Sequence, residues 1–159
     1  MSRRPHVAVT LTQRWHRVPG GTATSIERLV EAILKTDSAD LIGIEPRGDL
    51  RRPRTMLANR PKSLGEIERQ SPNSLSSGQA SVPIARLPLP LPVLYDSWAK
   101  FGRPRISSFV DNLDLVHLTV PVTPPIEKVP LVATVHDLFP ITHSELMTTR
   151  GSKLMRSGL

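Results

Sequence analysis

At 159 residues and 38% apolar side chains the chain has material for one modest core, and its 16 prolines, about twice the usual share, point to much non-regular backbone. No cysteine is present, which excludes disulfides, thiolate metal sites and a cysteine nucleophile. The net charge of +7 favours anionic partners, and no apolar run approaches the ~20 residues of a membrane-spanning helix.

The opening MSRRPHVAVTLTQ lacks an apolar stretch of signal-peptide length. A cytoplasmic protein is therefore expected, with its basic charge allowing a peripheral seat at the inner face of the membrane. His6 to Thr12 reads as a first strand. The loop behind it, Gln13 to Thr22, carries Arg14, Trp15, His16 and Arg17 and then Gly20-Gly21. Thr24-x-x-Glu27 has the form of a capping box. Ile26, Leu29, Val30, Ile33 and Leu34 follow at helical spacing, one apolar stripe that must face a core. Asp40 to Ile44 is the next strand. This β-α-β opening predicts a parallel, Rossmann-like sheet with flanking helices.

Glu45 to Ser81 is polar and rich in Arg, Ser and Pro, with room for a short helix near Leu64 to Arg69. Between Arg47 and Arg69 seven basic residues stand against three acidic ones, so +4 of the +7 lies there. Residues 46–81 are accordingly expected to be a basic, poorly ordered insertion between a first β-α-β unit (1–45) and the remainder of the domain (82–159). A solvated basic loop and a binding surface are both open for it.

From Val82 the pattern tightens. Alternating Leu and Pro at Leu87 to Pro92 predicts extended backbone, and a polyproline ligand is one use of it. Val93 to Phe101 predicts a short helix burying Leu94, Trp98 and Phe101. Asp114 to Leu118 is a further strand before a Pro-rich turn. His117 within it suits either a satisfied core histidine or one facing a crevice.

Leu131 to Val135 has the composition of a strand buried on both faces. It stops at His136-Asp137, and ligands of open α/β sheets bind beyond the carboxyl ends of strands. The pair fits a structural hydrogen bond at a strand end equally with a site, in which His136 meets a sugar hydroxyl or phosphate and Asp137 orients it. A metal reading would recruit His143 and Glu145, whose spacing is not a standard ligand pattern. Thr142-x-x-Glu145 looks like another capping box, opening a closing helix near Glu145 that Gly151 weakens.

At the Gly20-Gly21 turn, helix N–H groups and the dipole favour an anion, and glycine lets it approach the backbone. An ordinary loop also carries two glycines; the position between strand and helix is what points to a ligand. Trp15, His16 and Arg17 suit a pocket lining, and a loop aromatic equally suits a packing lid; Arg14 and Arg17 are the candidate anion contacts.

The strand, Gly-Gly loop and helix at the start, DLVHLTVPVTPP, and above all VPLVATVHDLFPITHSELM together resemble the N-terminal domain of GT-B glycosyltransferases of family 4, mannosyltransferase-like members in particular. The resemblance covers roughly residues 6–44 and 110–156. It implies one half of a GT-B fold, the acceptor side of a cleft whose other half binds a nucleotide-sugar. The Gly-Gly loop would approach donor phosphates and acceptor through Gly20 and Gly21, with Thr22 beside them, and His136 would lie near the transferred sugar. Transfer in the family retains anomeric configuration and generally needs no metal or other cofactor, the nucleotide-sugar being a co-substrate. Implied partners are that donor, a sugar, lipid or polysaccharide acceptor, and a second domain with basic residues and a Glu-x7-Glu motif. The chain stops short of that domain, so a truncated, inactive fragment is expected. The rival from another class is a non-catalytic basic module for nucleic acid or anionic membrane; against nucleic acid, the arginines of the insertion lack interleaved aromatics.

Overall fold

The computed structural model describes residues 3–15, 21–48, 82–122 and 127–158. Most of the predicted insertion (49–81), with the short helix expected near Leu64 to Arg69, lies outside the described residues.

Five strands form one parallel sheet in the order β3-β2-β1-β4-β5: β1 His6–Thr10, β2 Asp40–Pro46, β3 Ile84–Leu87, β4 Leu115–Leu118 and β5 Leu131–Ala133. The expected Rossmann-like α/β architecture is thus the architecture of the chain. β1 is central, pairing Val7 with Leu41 on one side and with Leu115 on the other. Its alternation is read by two layers. Val7 and Val9 pack with Ile26 and Val30 of α1 (Gly21–Thr36), whereas Ala8 turns to the opposite face, where Leu94 and Trp98 of α2 (Leu91–Phe101) lie. The α1 face is tight at Gly43: a Cβ there would sit 2.6 Å from both Leu11 Cδ1 and Ile84 Cδ1.

Several boundaries differ from expectation, each for a packing reason. α1 begins at Gly21, so Thr24 lies within its first turn and is no cap; the extra turn buries Ala23. β2 runs on to Pro46, carrying Glu45 into the sheet, because Glu45 and Pro46 pair with Arg86 and Leu87 of β3. α2 opens at Leu91, with Pro90 as its N-cap and Pro92 in the first turn, where a missing N–H costs nothing. It buries Leu91, Leu94, Tyr95 and Trp98 but not Phe101, which is 69% exposed. Gly102 ends the helix at φ 59°, a conformation suited to glycine, and donates its N–H to Trp98 O.

β5 is shorter than expected and lies at the sheet edge. Only one of its faces is covered: Leu131 and Ala133 pack toward α2, while Val132 is 49% and Val135 43% exposed. The capping box at Thr142 does not form. Thr142 ends a one-turn helix, α3 (Phe139–Thr142), and its hydroxyl donates back to Leu138 O. The closing helix, α4, spans Thr149–Arg156 and is capped by Thr148, whose hydroxyl accepts from Gly151 N at 3.1 Å. A Cβ on Gly151 would come within 2.9 Å of that hydroxyl, so the glycine serves the cap. α4 lies on the α2 layer through Leu154 and Met155, and Arg150 bridges to Asp96 at 2.8 Å.

Candidate functional site

The chain leaves β1 for β2 on one side and returns to it as β4 on the other, so the carboxyl ends of β1 and β4 flank the topological switch point where α/β sheets place ligands. Two threonines, each 1% exposed, join the strands there. Thr119 N donates to Thr10 Oγ1 (3.0 Å) and Thr119 Oγ1 donates to Thr10 O (2.6 Å). The backbone groups freed as the pairing of β1 and β4 stops are thereby satisfied.

His136 reaches this junction from the elbow beyond β5. Its Nε2 lies 2.9 Å from Thr119 O, and since a carbonyl can only accept, Nε2 carries the proton. The ring is exposed, and Nδ1 has no hydrogen-bond partner among the described residues. In the neutral ring, one nitrogen is anchored and the other remains an acceptor for a hydroxyl. Asp137 was expected to orient the ring; its Oδ1 instead accepts from Phe139 N at 2.9 Å and shapes the elbow. Exposed apolar side chains surround that elbow, Leu138 at 55% and Ile141 at 50%.

His117 faces the same side as Thr119, two positions along β4, and its Nε2 lies 2.8 Å from Thr134 Oγ1. Desolvation of this half-buried ring lowers its pKa from the ordinary 6.5. Of the two alternatives for His117, a hydrogen-bonded histidine of the sheet face describes it best.

On the other side of β1 stands a charge network. A 3-10 turn, Thr12–Trp15, directly follows β1 and buries Arg14. Arg14 Nε is 3.2 Å from Glu27 Oε1 and Nη1 is 3.6 Å from Glu45 Oε1; Arg86 Nε lies 3.9 Å from Glu45 Oε2. Glu45 is 0% exposed. A guanidinium enclosed between two carboxylates is not presented to an incoming anion, so Arg14 is a positioning group in place of the anion contact expected. Beneath the turn, Tyr95 of α2 bonds to the Thr12 side chain, and burial pushes its hydroxyl far above the usual phenol range.

Gly21 is the first residue of α1 and exposed, and a Cβ there would meet nothing within 4 Å. Thr22 is half-buried beside it. Gly20 and Arg17, expected in the same loop, lie outside the described residues, as does His16. Among the described residues no group of three or more His, Asp or Glu side chains is placed to hold a metal ion, and no helix is long and apolar enough to cross a membrane.

Reading from sequence missed Glu45 and the Thr10–Thr119 junction. The first had a signal, an acid directly continuing the apolar run LIGI; the second joins residues 109 positions apart and had none. Compared with protein-family models, curated proteins and solved structures, the chain matches none.

Proposed function

We propose that this domain is the acceptor-side half of a GT-B-type glycosyltransferase of the retaining, family-4-like kind. The observation that carries it is His136: an exposed imidazole, fixed by Thr119 O at the switch-point crevice, with its second nitrogen open to a hydroxylated ligand. This histidine belongs to the VATVHDL segment, the part of the chain that carries the resemblance to the family.

In the reaction an acceptor hydroxyl attacks the anomeric carbon of a nucleotide-sugar. The bond from that carbon to the diphosphate oxygen breaks, the nucleoside diphosphate leaves with the electron pair, and the hydroxyl proton passes to the departing diphosphate oxygen. His136, through Nδ1, would accept a hydrogen bond from a hydroxyl of the sugar at the transfer point and so fix its orientation. Gly21 and Thr22 at the start of α1 would face the diphosphate, whose developing charge suits a helix N-terminus, with Gly20 next to them in sequence. No metal step is invoked. The donor-binding half of the cleft would come from a second Rossmann-like domain.

Ligand-observed NMR with a panel of nucleotide-sugars and phosphorylated or glycosidic acceptors, on the chain and its His136→Ala variant, tests the proposal. Expected is saturation transfer to a sugar-bearing ligand of the panel that persists at moderate salt and drops at least tenfold in the variant, the order of one lost hydrogen bond to a desolvated partner. Binding that vanishes with salt and ignores His136 would replace the proposal with a basic binding module.

A further inference from the structure

Phe101 and Phe109 raise a separate question, since the core uses neither. Trp98, Gly102, Ile106 and Val110 form the buried side of the turn that follows α2. Phe101 is 69% and Phe109 44% exposed. Lys100 and Arg103 are exposed with them, and Arg105 is partly so. We propose that the turn Lys100 to Phe109 is a docking tip for an anionic lipid surface, its phenylalanine rings entering the headgroup boundary and its cations meeting lipid phosphates.

Charge complementarity is the first support. Arg3, Arg4, Arg28 and Arg150 each face a carboxylate. Lys100, Arg103 and Arg105 form no ion pair among the described residues. Of the nearby acids, Glu127 is occupied, accepting from Ile106 N and, at 3.2 Å, from Ser107 N. Asp111 alone remains as an exposed acid on the adjoining chain.

Rigidity is the second. Trp98 Nε1 donates to Pro104 O at 2.9 Å, Gly102 N to Trp98 O at 3.0 Å and Phe109 N to Ile106 O at 2.9 Å. The rings are therefore held out on an ordered scaffold, and little backbone entropy is lost when they are immersed. Aromatic bodies with flanking long cations are what a headgroup boundary accommodates. A single nucleic-acid strand calls instead for a groove with stacking rings along its floor, whereas this feature is the tip of a helix and its turn.

Placement is the third. α2 runs from the carboxyl end of β3 to the amino end of β4, so its last turn lies at the end of the sheet opposite the crevice. Lipid contact here leaves His136 accessible, and the proposal stands independently of the glycosyltransferase assignment.

Cosedimentation of the full chain with vesicles of phosphatidylcholine containing about a third phosphatidylglycerol, against pure phosphatidylcholine, is the test. Expected is partition at least about tenfold stronger to the anionic vesicles, weakening with salt. Phe101→Ser with Phe109→Ser, and separately Lys100→Glu with Arg103→Glu, should each reduce it about tenfold while leaving the melting temperature and the ligand NMR signals in place. No partition of the parent chain would overturn the proposal. So would partition unchanged in both variants, which would assign binding to the Arg47–Arg69 segment. So too would selective binding of an oligothymidylate that the variants abolish in the absence of any vesicle binding.

Discussion

Toward β2 and β3, the α1 face of the sheet buries charge: Glu45 and Arg14 are almost wholly removed from water, with Glu27 and Arg86 at their margins. Toward β4 and β5, the same face carries neutral polar groups, with hydrogen bonds from His117 to Thr134 and His136 to Thr119 and with Thr119 reaching Thr10 at the sheet end. Helix α1 covers the first flank through Ile26 and Val30, and Val132 stands half exposed on the second. The charged flank is closed and holds the turn after β1 in position. The neutral flank is open, and a ligand can meet it without first displacing an ion pair. Desolvated charge requires enclosure, whereas a hydrogen-bonded imidazole or threonine tolerates partial exposure.

Removing one partner of the closed flank should have the largest effect. Glu45→Ala leaves Arg14 enclosed with part of its compensation gone, and urea denaturation should show a loss of about 3 kcal/mol. Arg14→Met combined with Glu45→Met should recover much of that loss; a double variant as weak as the single one would mean that the pair is not the source of the asymmetry. Gly43→Ala comes next. It forces a methyl against Leu11 and Ile84, and a loss of about 1–3 kcal/mol is expected. A neutral outcome would show that the α1 layer can shift outward.

On the open flank the effects should be smaller. Thr119→Val removes the hydroxyl that donates to Thr10 O and should cost about 1 kcal/mol. Protonation of His117 provides a pH test. Its folded pKa lies below the ordinary 6.5, so above that value both folded and unfolded chains hold a neutral ring. As pH falls below 6.5 the unfolded chain takes up a proton that the folded one resists, and stability declines. His117→Gln should flatten that part of the melting-temperature profile, and an unchanged slope would assign the acid sensitivity to other groups. Least of all, Val132→Thr on the exposed face of β5 should change stability by less than about 0.5 kcal/mol. A larger loss would mean that something covers that face in solution.

Much of the sheet was legible because parallel strands buried on both faces read as apolar runs, and HVAVT and DLIGI are such runs. The same rule misled at Leu131 to Val135. An apolar run does not record whether a helix lies over each face, and β5 has cover on one only. Phe101 fits the helical stripe of Leu94 and Trp98, but as the last residue of the helix it stands 69% exposed, beyond the layer that buries the rest of the stripe. At the candidate site, His136 drew attention as a polar residue ending an apolar run, whereas the strand itself stops at Ala133. Its anchor, Thr119 O, was not, because a backbone carbonyl brought close by tertiary pairing leaves no mark in composition. Arg14 drew attention as a loop cation, and only burial against Glu45 shows that its role is internal.

The central place of β1 also has a consequence in time. Its first partner, β2, is synthesised soon after it, but β4 follows β2 by roughly 70 residues, an interval of about 4–14 s at ordinary elongation rates. Throughout that interval the edge of β1 destined for β4 presents unpaired peptide groups between two apolar faces. The nascent chain thus spends seconds with its future centre still an open edge, a stage prone to wrong pairing and to capture by a chaperone.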